Sequence, residues 1–159
     1  MDFRIGQGID FHRLADGLDL WIGGVLIISD KGAVAHSDGD VLIHAICDAI
    51  LGAAALGDIG FHFPNTDPRY KGIDSRKLLI KCIDLVRLKG YQLVNIDATV
   101  CLEEPKLAPH IEAIRKSLAV TAGLEKSRIG VKATTTEKMG FTGRGEGIAA
   151  QAAVLLRSV

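Results

Sequence analysis

Three residues, Asp10, His12 and His44, have the types and the spacing of a metal site. Asp10 and His12 are separated by one residue in a segment that reads as a strand, so both side chains leave the same face. His44 lies on a predicted helix and can supply a third ligand. One carboxylate and two imidazoles leave one position open on a tetrahedral metal, which is typical of catalytic zinc sites. The alternative is that Asp10 makes a turn hydrogen bond beside a half-buried histidine.

A polar stripe, formed by Asp40, His44 and Asp48, runs along the same predicted helix at one-turn intervals. The stripe is either solvated or a ligand face, and the apolar residues on the other sides of the helix favour a ligand face. His36 and Ser37 stand just before this helix, where an imidazole, a hydroxyl and the helix dipole can hold a phosphate. Ser37 could equally be an ordinary turn residue.

Three threonines and a carboxylate, residues 134–137, end a predicted strand and precede a glycine-rich segment at residues 140–147. Hard oxygen donors suit magnesium or manganese, and glycines let backbone N–H groups approach an anion. Arg144 offers a bidentate partner for phosphate. Alone, this segment could be only a glycine-rich hairpin after a threonine-rich strand. Together with the first cluster, it fits phosphoryl transfer between metal-clamped oxygens.

The composition is that of an ordinary globular protein, with 159 residues and 19 basic residues balancing 19 acidic ones. This length predicts one domain over residues 1–159, and the zero balance excludes general attraction to nucleic acid or anionic membranes. The three cysteines lie in apolar runs without a C-x-x-C pair, as buried reduced thiols do. No signal peptide, transit peptide or membrane span is evident, so we expect a cytoplasmic protein of bacterial type.

Strand and helix patterns alternate along the chain and predict an α/β fold. The expected fold has a four-stranded mixed sheet with helices on one face. The other face must also be covered, and a small oligomer that packs its sheets around an axis is one solution. We predict strands at residues 3–11, 20–28, 91–102, 129–134 and 147–156, and helices at residues 38–56, 75–88 and 109–122. A loop at residues 57–72 is long enough to be a binding loop.

At these segments the chain resembles the 2-C-methyl-D-erythritol 2,4-cyclodiphosphate synthase family of the non-mevalonate isoprenoid pathway. The resemblance covers essentially the whole chain, and its motifs are long and specific. The matching runs are Gly6-x-Gly8-x-Asp10-x-His12, residues 35–40 (AHSDGD), residues 51–60 (LGAAALGDIG), and residues 131–137 (VKATTTE) continuing to Gly147.

The resemblance implies a metal-dependent phosphorus–oxygen lyase with the fold of a small α/β sandwich. It would be a homotrimer whose sheets line the three-fold axis, with an active site at each subunit interface. Its substrate would be 4-diphosphocytidyl-2-C-methyl-D-erythritol 2-phosphate. The 2-phosphate would attack the β-phosphorus, cytidine monophosphate would leave, and a cyclic diphosphate would remain. An isoprenoid diphosphate could occupy the cavity on the trimer axis.

The resemblance also implies a role for each matching residue. Asp10, His12 and His44 would bind zinc, and Glu137 would bind a second cation, magnesium or manganese. His36 and Thr135 would stabilise the transition state. The remaining implied contacts with the substrate or the axial cavity are Phe11, Ser37, Asp58, Ile59, Gly60, Phe63, Pro64, Asn65, Thr66, Asp67, Leu102, Glu103, Glu104, Pro105, Lys106, Leu107, Ala108, Ala133, Thr134, Thr136, Phe141 and Arg144.

Some positions depart from the commoner family pattern. Asn65 stands where an aspartate is usual, and Phe61 stands where a basic residue is frequent. Glu103 and Glu104 place two carboxylates beside the implied cytidine pocket. Two other functions stay open at this point: a trimeric nucleotide or isoprenoid-diphosphate binding protein that has lost catalysis, and a zinc phosphohydrolase that uses metal-bound water.

Overall fold

The computed structural model describes all 159 residues, as seven strands and five helices. The strands are β1 (Phe3–Asp16), β2 (Leu20–Ile22), β3 (Val25–Ile27), β4 (Lys31–Ala33), β5 (Tyr91–Cys101), β6 (Ile129–Thr134) and β7 (Gly147–Ser158). The helices are α1 (Val41–Ala53), α2 (Ile59–His62), α3 (Ser75–Leu88), α4 (Ile111–Ala122) and α5 (Gly140–Gly143). Single 3-10 turns lie at Pro68–Tyr70, Ala108–His110 and Lys126–Arg128.

The main sheet has five strands in the order β4-β1-β7-β5-β6. The long strands β1 and β5 both pair antiparallel with β7, and β6 pairs parallel with β5, so the sheet is mixed as predicted. The expected count of four strands was wrong. The extra strand, β4, is only three residues long and pairs with the end of β1, so it is too short to show a two-residue alternation.

Helix α1 packs directly onto β1 because β1 carries glycine at the contact. A Cβ atom added to Gly6 would lie 1.8 Å from the carbonyl oxygen of Ala49, and one added to Gly8 would lie 2.0 Å from that of Ala45. Only a residue without a side chain allows this approach between helix and strand backbones. The contact sets α1 over the strand that carries Asp10 and His12, and therefore fixes where His44 stands.

The helices cover one face of the sheet, as predicted. On that face β7 buries alternate residues from Ile148 to Leu156, which join a core cluster of 37 residues. On the opposite face β1 exposes Ile5 at 78%, Ile9 at 54% and Phe11 at 52%. These three residues are called the open sheet face below. An apolar stripe of this kind on a strand centre is unusual for a surface that stays in water.

Two predicted elements differ from the observed ones near the amino terminus. The single strand expected at residues 20–28 is a hairpin of β2 and β3, because Gly23 and Gly24 both adopt positive φ and turn the chain. The helix expected at residues 38–56 is shorter: it begins at Val41, and its N-cap is Asp40. Asp38 cannot cap it because its carboxylate is held by the backbone N–H and hydroxyl of Ser75.

The end of α1 and the loop that follows also differ from expectation. The helix ends at Ala53 rather than at residue 56, and the left-handed residue that directly follows its C-cap is Ala55, at φ 54°. The segment at residues 57–72 contains α2 and a 3-10 turn instead of an unstructured loop. The helix expected at residues 109–122 begins two residues later, at Ile111, after another 3-10 turn.

The other predicted elements are confirmed or extended. Helix α3 and strand β6 have the predicted bounds, and β5 ends one residue early, at Cys101. Strand β1 runs five residues beyond its expected end, and β7 two residues beyond. No helix has both the length and the apolar character that crossing a bilayer requires.

Candidate metal centre and active site

Asp10, His12 and His44 form one cluster, as the sequence predicts. The His12 Nε2 atom lies 3.0 Å from Asp10 Oδ2 and 3.0 Å from His44 Nδ1. The third edge, from His44 Nδ1 to Asp10 Oδ2, is 3.1 Å. The side chains are 27%, 16% and 10% exposed for Asp10, His12 and His44, so the cluster is largely buried with one side toward solvent.

This donor set fits a metal ion. Ligands 2.0–2.1 Å from a tetrahedral metal stand about 3.3 Å apart, close to the edges of the observed triangle. Two imidazole nitrogens and one carboxylate oxygen are donors that zinc accepts, and three protein ligands leave its fourth position for another ligand. The ligand atoms all lie within 4.8 Å of one another, which marks them as a group that could hold a metal ion.

The three groups also perturb one another electrostatically. Burial alone would raise the pKa of Asp10, but the hydrogen bonds and positive charge of His12 and His44 hold it well below its usual range. Burial lowers the pKa of His44, and the Asp10 carboxylate raises it, with the net shift upward. Asp10 is therefore an ionised ligand at neutral pH.

The polar stripe on α1 is not a ligand face throughout, and this part of the prediction was wrong. His44 turns to the metal cluster. Asp40 is fully buried and accepts the N–H groups of Gly23, Gly24 and Ile43, so it ties the β2–β3 turn to the start of α1. Asp48 accepts the N–H of Ile59 and anchors the segment that begins α2.

A cleft of about 550 Å³ opens beside the cluster. Its lining includes eight further residues that the resemblance implies: His36, Ser37, Ile59, Gly60, Phe63, Pro64, Asn65 and Thr66. The sequence reasoning missed four others, Ala35, Tyr70, Ile73 and Leu78. The Tyr70 ring packs edge-on against the Phe63 ring, with 5.5 Å between the ring centroids. Nothing in the local sequence distinguishes Tyr70 from an ordinary turn residue.

Two implied residues of the loop, Asp58 and Asp67, use their carboxylates to hold local structure. Asp58 caps α2 by accepting the N–H of Phe61, and Asp67 forms an ion pair with Arg69 at 2.6 Å. The backbone carbonyl of Asp67 lies 3.1 Å from His36 Nε2. Because a carbonyl only accepts, Nε2 of His36 carries hydrogen, and its other nitrogen is the one free to meet a ligand.

Among the departing positions, Asn65 lines the cleft, whereas Phe61 points outward at 78% exposure. Glu103, Glu104 and Pro105 line a second cleft of about 560 Å³, together with Lys31 and Arg144. Glu104 is exposed to solvent, while the Oε2 atom of Glu103 is buried without a hydrogen-bond partner.

The threonine-rich segment lies away from the metal cluster. Asp10 pairs with Ala150 on β7, Ala150 pairs with Val100 on β5, and Val100 pairs with Ala133 on β6. Three strand spacings of about 4.8 Å place Ala133 roughly 14 Å from Asp10. The two segments are at the same end of the sheet, but one chain does not bring Thr135 and Glu137 to the cluster.

Within its own segment, Thr135 lies beside Glu137, with 3.4 Å between Oγ1 and Oε1. Glu137 and Lys138 both adopt positive φ, at 53° and 63°, which non-glycine residues rarely do. The N–H of Leu102 bonds to the carbonyl of Thr134 at 3.0 Å and joins the residue 102–108 loop to this turn.

The remaining implied residues divide between core and surface. Leu102 and Leu107 are 4% and 3% exposed, so only their backbone groups can meet a ligand. Lys106, Ala108, Ala133 and Thr134 are exposed, and Thr136 bonds to the buried Thr142. Phe141 packs edge-on against Phe11 at 6.0 Å, and Arg144 pairs with Glu146 at 2.9 Å.

Sequence comparison places the chain among proteins of known activity. A family model described as the YgbB family matches residues 3–157. A protein from Porphyromonas gingivalis, named 2-C-methyl-D-erythritol 2,4-cyclodiphosphate synthase, is 61% identical over 154 residues, which are 97% of this chain and 95% of the relative.

Structure comparison agrees. The bifunctional IspDF from Campylobacter jejuni matches 99% of this chain with a TM-score of 0.96 and 46% identity, and the chain spans 43% of that longer protein. A structure of 2C-methyl-D-erythritol-2,4-cyclodiphosphate synthase in a bound form with CDP matches 97% of this chain and all of its own, with a TM-score of 0.90 and 43% identity.

Proposed function

The chain belongs to the YgbB family, and from that membership and the Asp10–His12–His44 cluster we propose what it does. It converts 4-diphosphocytidyl-2-C-methyl-D-erythritol 2-phosphate into 2-C-methyl-D-erythritol 2,4-cyclodiphosphate and releases cytidine monophosphate. The enzyme is a lyase of isoprenoid biosynthesis, as its named relatives indicate. The single observation that carries this reading is a three-donor cluster at the edge of a cleft in a chain of this family.

The reaction is an intramolecular phosphoryl transfer. An oxygen of the 2-phosphate forms a bond to the β-phosphorus, and the bond from that phosphorus to the oxygen bridging it to the α-phosphate breaks. The bridging oxygen leaves with cytidine monophosphate, so no water enters the product. Such a reaction needs positioning and neutralisation of negative charge more than it needs a protein nucleophile.

Asp10, His12 and His44 would hold a zinc ion against the diphosphate. When bound, such an ion neutralises phosphate charge and polarises the phosphorus–oxygen bonds. Ser37 accepts the N–H of Gly39 through its Oγ and keeps its own hydrogen for a substrate oxygen. His36 stands on the same cleft with one ring nitrogen free to donate to developing charge when the ring is protonated.

The methylerythritol part would lie between Ser37 and the residue 58–67 loop, which forms the far wall of the cleft. The aromatic ring of Phe63 and the backbone of Gly60 border the same space. Asn65 replaces a charge with an amide, which can both donate to and accept from substrate hydroxyls.

We further propose that the working unit is a homotrimer with each active site shared by two chains. The roughly 14 Å between Asp10 and Ala133 leaves Thr135 and Glu137 too far away to act on the same phosphate within one chain. The open sheet face, with Ile5, Ile9 and Phe11, supplies apolar area for packing around an axis.

In that arrangement Thr135 and Glu137 of one chain face the metal cluster of another. Glu137 would hold magnesium or manganese, which would neutralise phosphate charge, and Thr135 would donate to the transferring group. The residue 102–108 loop with Ala133 and Thr134 would hold the cytidine, a role supported by the CDP-bound relative. Phe141 and Arg144 would face the axial cavity, where an isoprenoid diphosphate could bind.

We place this activity within one domain over residues 1–159 and in the cytoplasm of a bacterial cell. The support for the domain is a single core cluster, which takes in residues of both terminal strands, from Leu14 to Leu156. The support for the compartment is the bacterial origin of the named relatives and the presence of three free cysteines, two of them buried.

Phosphorus NMR with the diphosphocytidyl substrate, zinc and magnesium tests the function. The expected spectrum gains the two signals of a cyclic diphosphate, with equimolar cytidine monophosphate, and His44→Ala gives neither. Repeating the reaction in oxygen-18 water separates the alternatives. A phosphohydrolase would place heavy oxygen in an uncyclised product, whereas tight binding without new signals would indicate a non-catalytic binding protein.

A further inference from the structure

His44 has a second, buried set of contacts on the side of its ring that faces away from the metal cluster. Its Nδ1 atom faces Asp10 and His12, whereas its Nε2 atom lies 2.9 Å from Ser75 Oγ and 3.2 Å from Ser37 Oγ. The two ring nitrogens therefore meet separate environments. The contacts of Nε2, which turns away from the cluster, decide whether Nε2 or Nδ1 carries the ring hydrogen.

The hydroxyl of Ser75 has a single hydrogen, and its neighbours determine where that hydrogen points. Ser75 Oγ lies 2.5 Å from Asp38 Oδ1, and the N–H of Ser75 bonds to the other carboxylate oxygen at 2.8 Å. An ionised carboxylate only accepts, so the hydroxyl donates to Asp38. The lone pairs of Oγ then face His44, and Nε2 of His44 must be the donor.

This arrangement is buried and held from several directions. Ser75 is 0% exposed, so water does not compete for its hydroxyl. Asp38 also accepts the N–H of Asp40, and the N–H of Asp38 bonds to the carbonyl of Ile73. The carboxylate is therefore fixed by both the turn before α1 and the start of α3.

We infer that Asp38 and Ser75 are positioning residues, which place hydrogen on His44 Nε2 and leave the Nδ1 lone pair directed at the metal. The inference rests on the proposed metal site and adds to it a relay from carboxylate to hydroxyl to imidazole. A metal ligand needs its lone pair free and its ring held in one orientation, and contacts behind the ligand supply both. Ser37 is a weaker second acceptor for the same Nε2–H.

Substitution of Asp38 by asparagine reverses the relay. Asn keeps only one acceptor oxygen, and where that oxygen keeps the 2.8 Å bond from the Ser75 N–H, the NH₂ group takes the place of Oδ1, which also accepts the N–H of Asp40 at 3.1 Å. The variant then loses the Asp40 contact, and its NH₂ group donates to Ser75 Oγ. The hydroxyl hydrogen of Ser75 turns to His44 Nε2, and the ring must carry its hydrogen on Nδ1, where the metal would bind. Asp38→Asn is therefore expected to weaken zinc binding more than Ser75→Ala, which leaves Ser37 as an acceptor.

The test is zinc affinity of the metal-free full-length protein, measured by competition with a chelator. Asp38→Asn is expected to weaken zinc binding about 10–100-fold, and Ser75→Ala less. Asp74→Asn is the matched control, because Asp74 caps the same helix and pairs with Arg76 without contacting His44. Equal affinity in Asp38→Asn and Asp74→Asn would overturn the inference.

A second readout does not depend on a variant folding. In the zinc-loaded wild-type protein, nitrogen-15 NMR of the imidazoles should show His44 Nε2 bonded to hydrogen and slow to exchange with solvent. A His44 Nε2 without hydrogen would overturn the relay while leaving the metal site intact. Failure of the wild-type protein to bind zinc at all, or binding that survives His44→Ala, would instead refute the metal site in the proposed function.

Discussion

Replacing Gly8 with alanine should damage both the fold and the metal site, because Gly8 is where α1 rests on β1. The added Cβ would lie 2.0 Å from the carbonyl oxygen of Ala45, 2.7 Å from the backbone nitrogen of Ala49 and 2.9 Å from the Cβ of Asp48. Two of these three atoms are backbone, so no rotamer change relieves the overlap. The helix must move by more than an ångström to restore ordinary contact.

The substitution should lower both stability and zinc affinity, because α1 carries the ligand His44. Overpacking of this kind costs about 1–3 kcal/mol, and a chain of this length loses about 2–4 °C of Tm per kcal/mol. His44 precedes Ala45 directly, so a helix displaced by an ångström also breaks the cluster of 3.0–3.1 Å contacts with Asp10 and His12. Zinc affinity should therefore fall together with stability.

Gly52→Ala is the matched control on the same helix. A Cβ at Gly52 would meet only the carbonyl oxygen of Gln7 at 4.0 Å, and alanine is about 1 kcal/mol better than glycine inside a helix. Thermal unfolding and zinc titration of both variants check the reasoning. The packing argument would be wrong if Gly8→Ala had the Tm and zinc affinity of the wild type, or if Gly52→Ala were as damaging as Gly8→Ala.

Three other perturbations have distinct expected outcomes. Asp40→Ala removes the acceptor of three backbone N–H groups, those of Gly23, Gly24 and Ile43. The free energy of unfolding, measured with urea, should fall by about 1–3 kcal/mol for each N–H left without a partner, and wild-type stability would contradict the capping role. Ile9→Asp puts charge on the open sheet face and should shift sedimentation from trimer to monomer; an unchanged sedimentation coefficient would refute that interface. Glu137→Gln should lower kcat at least tenfold without weakening zinc binding, and a joint loss of both would place Glu137 in the zinc site instead.

The sequence predicted the metal cluster because its signal is local. Asp10 and His12 share a strand face, and His44 lies near the start of the next helix, so the pattern leaves open only how that helix packs on the strand. Gly6 and Gly8 determine this packing, because a strand without side chains at alternate positions lets a helix backbone approach closely.

The roles of the polar residues around the cluster could not be read in the same way. Asp38 and Asp40 both suit an N-cap by type, and the choice depends on Ser75, which is 37 residues further along the chain than Asp38. Asp48 belongs to a helical stripe by spacing, yet its partner is the backbone of Ile59. Pairings of this kind are set by tertiary contacts, and periodicity does not contain them.

The short strand β4 escaped prediction, and the residue pattern alone does not show the separation of Thr135 from the cluster, for a related reason. Three residues carry too little pattern to predict a strand, and strand order places β7 and β5 between β1 and β6. Residues that look like one active site in the sequence are therefore about three strand spacings apart in one chain.

The most direct test of a shared active site is activity of mixed trimers. His44→Ala and Glu137→Gln subunits are co-expressed with different tags and purified as mixed assemblies; trimers of His44→Ala alone are expected to be inactive, and trimers of Glu137→Gln alone at least tenfold less active than the wild type. If each site combines the cluster of one chain with Glu137 of its neighbour, every mixed trimer has one intact site and about one-third of wild-type activity. Mixed trimers without activity would contradict the account, because sites contained within single chains gain nothing from mixing.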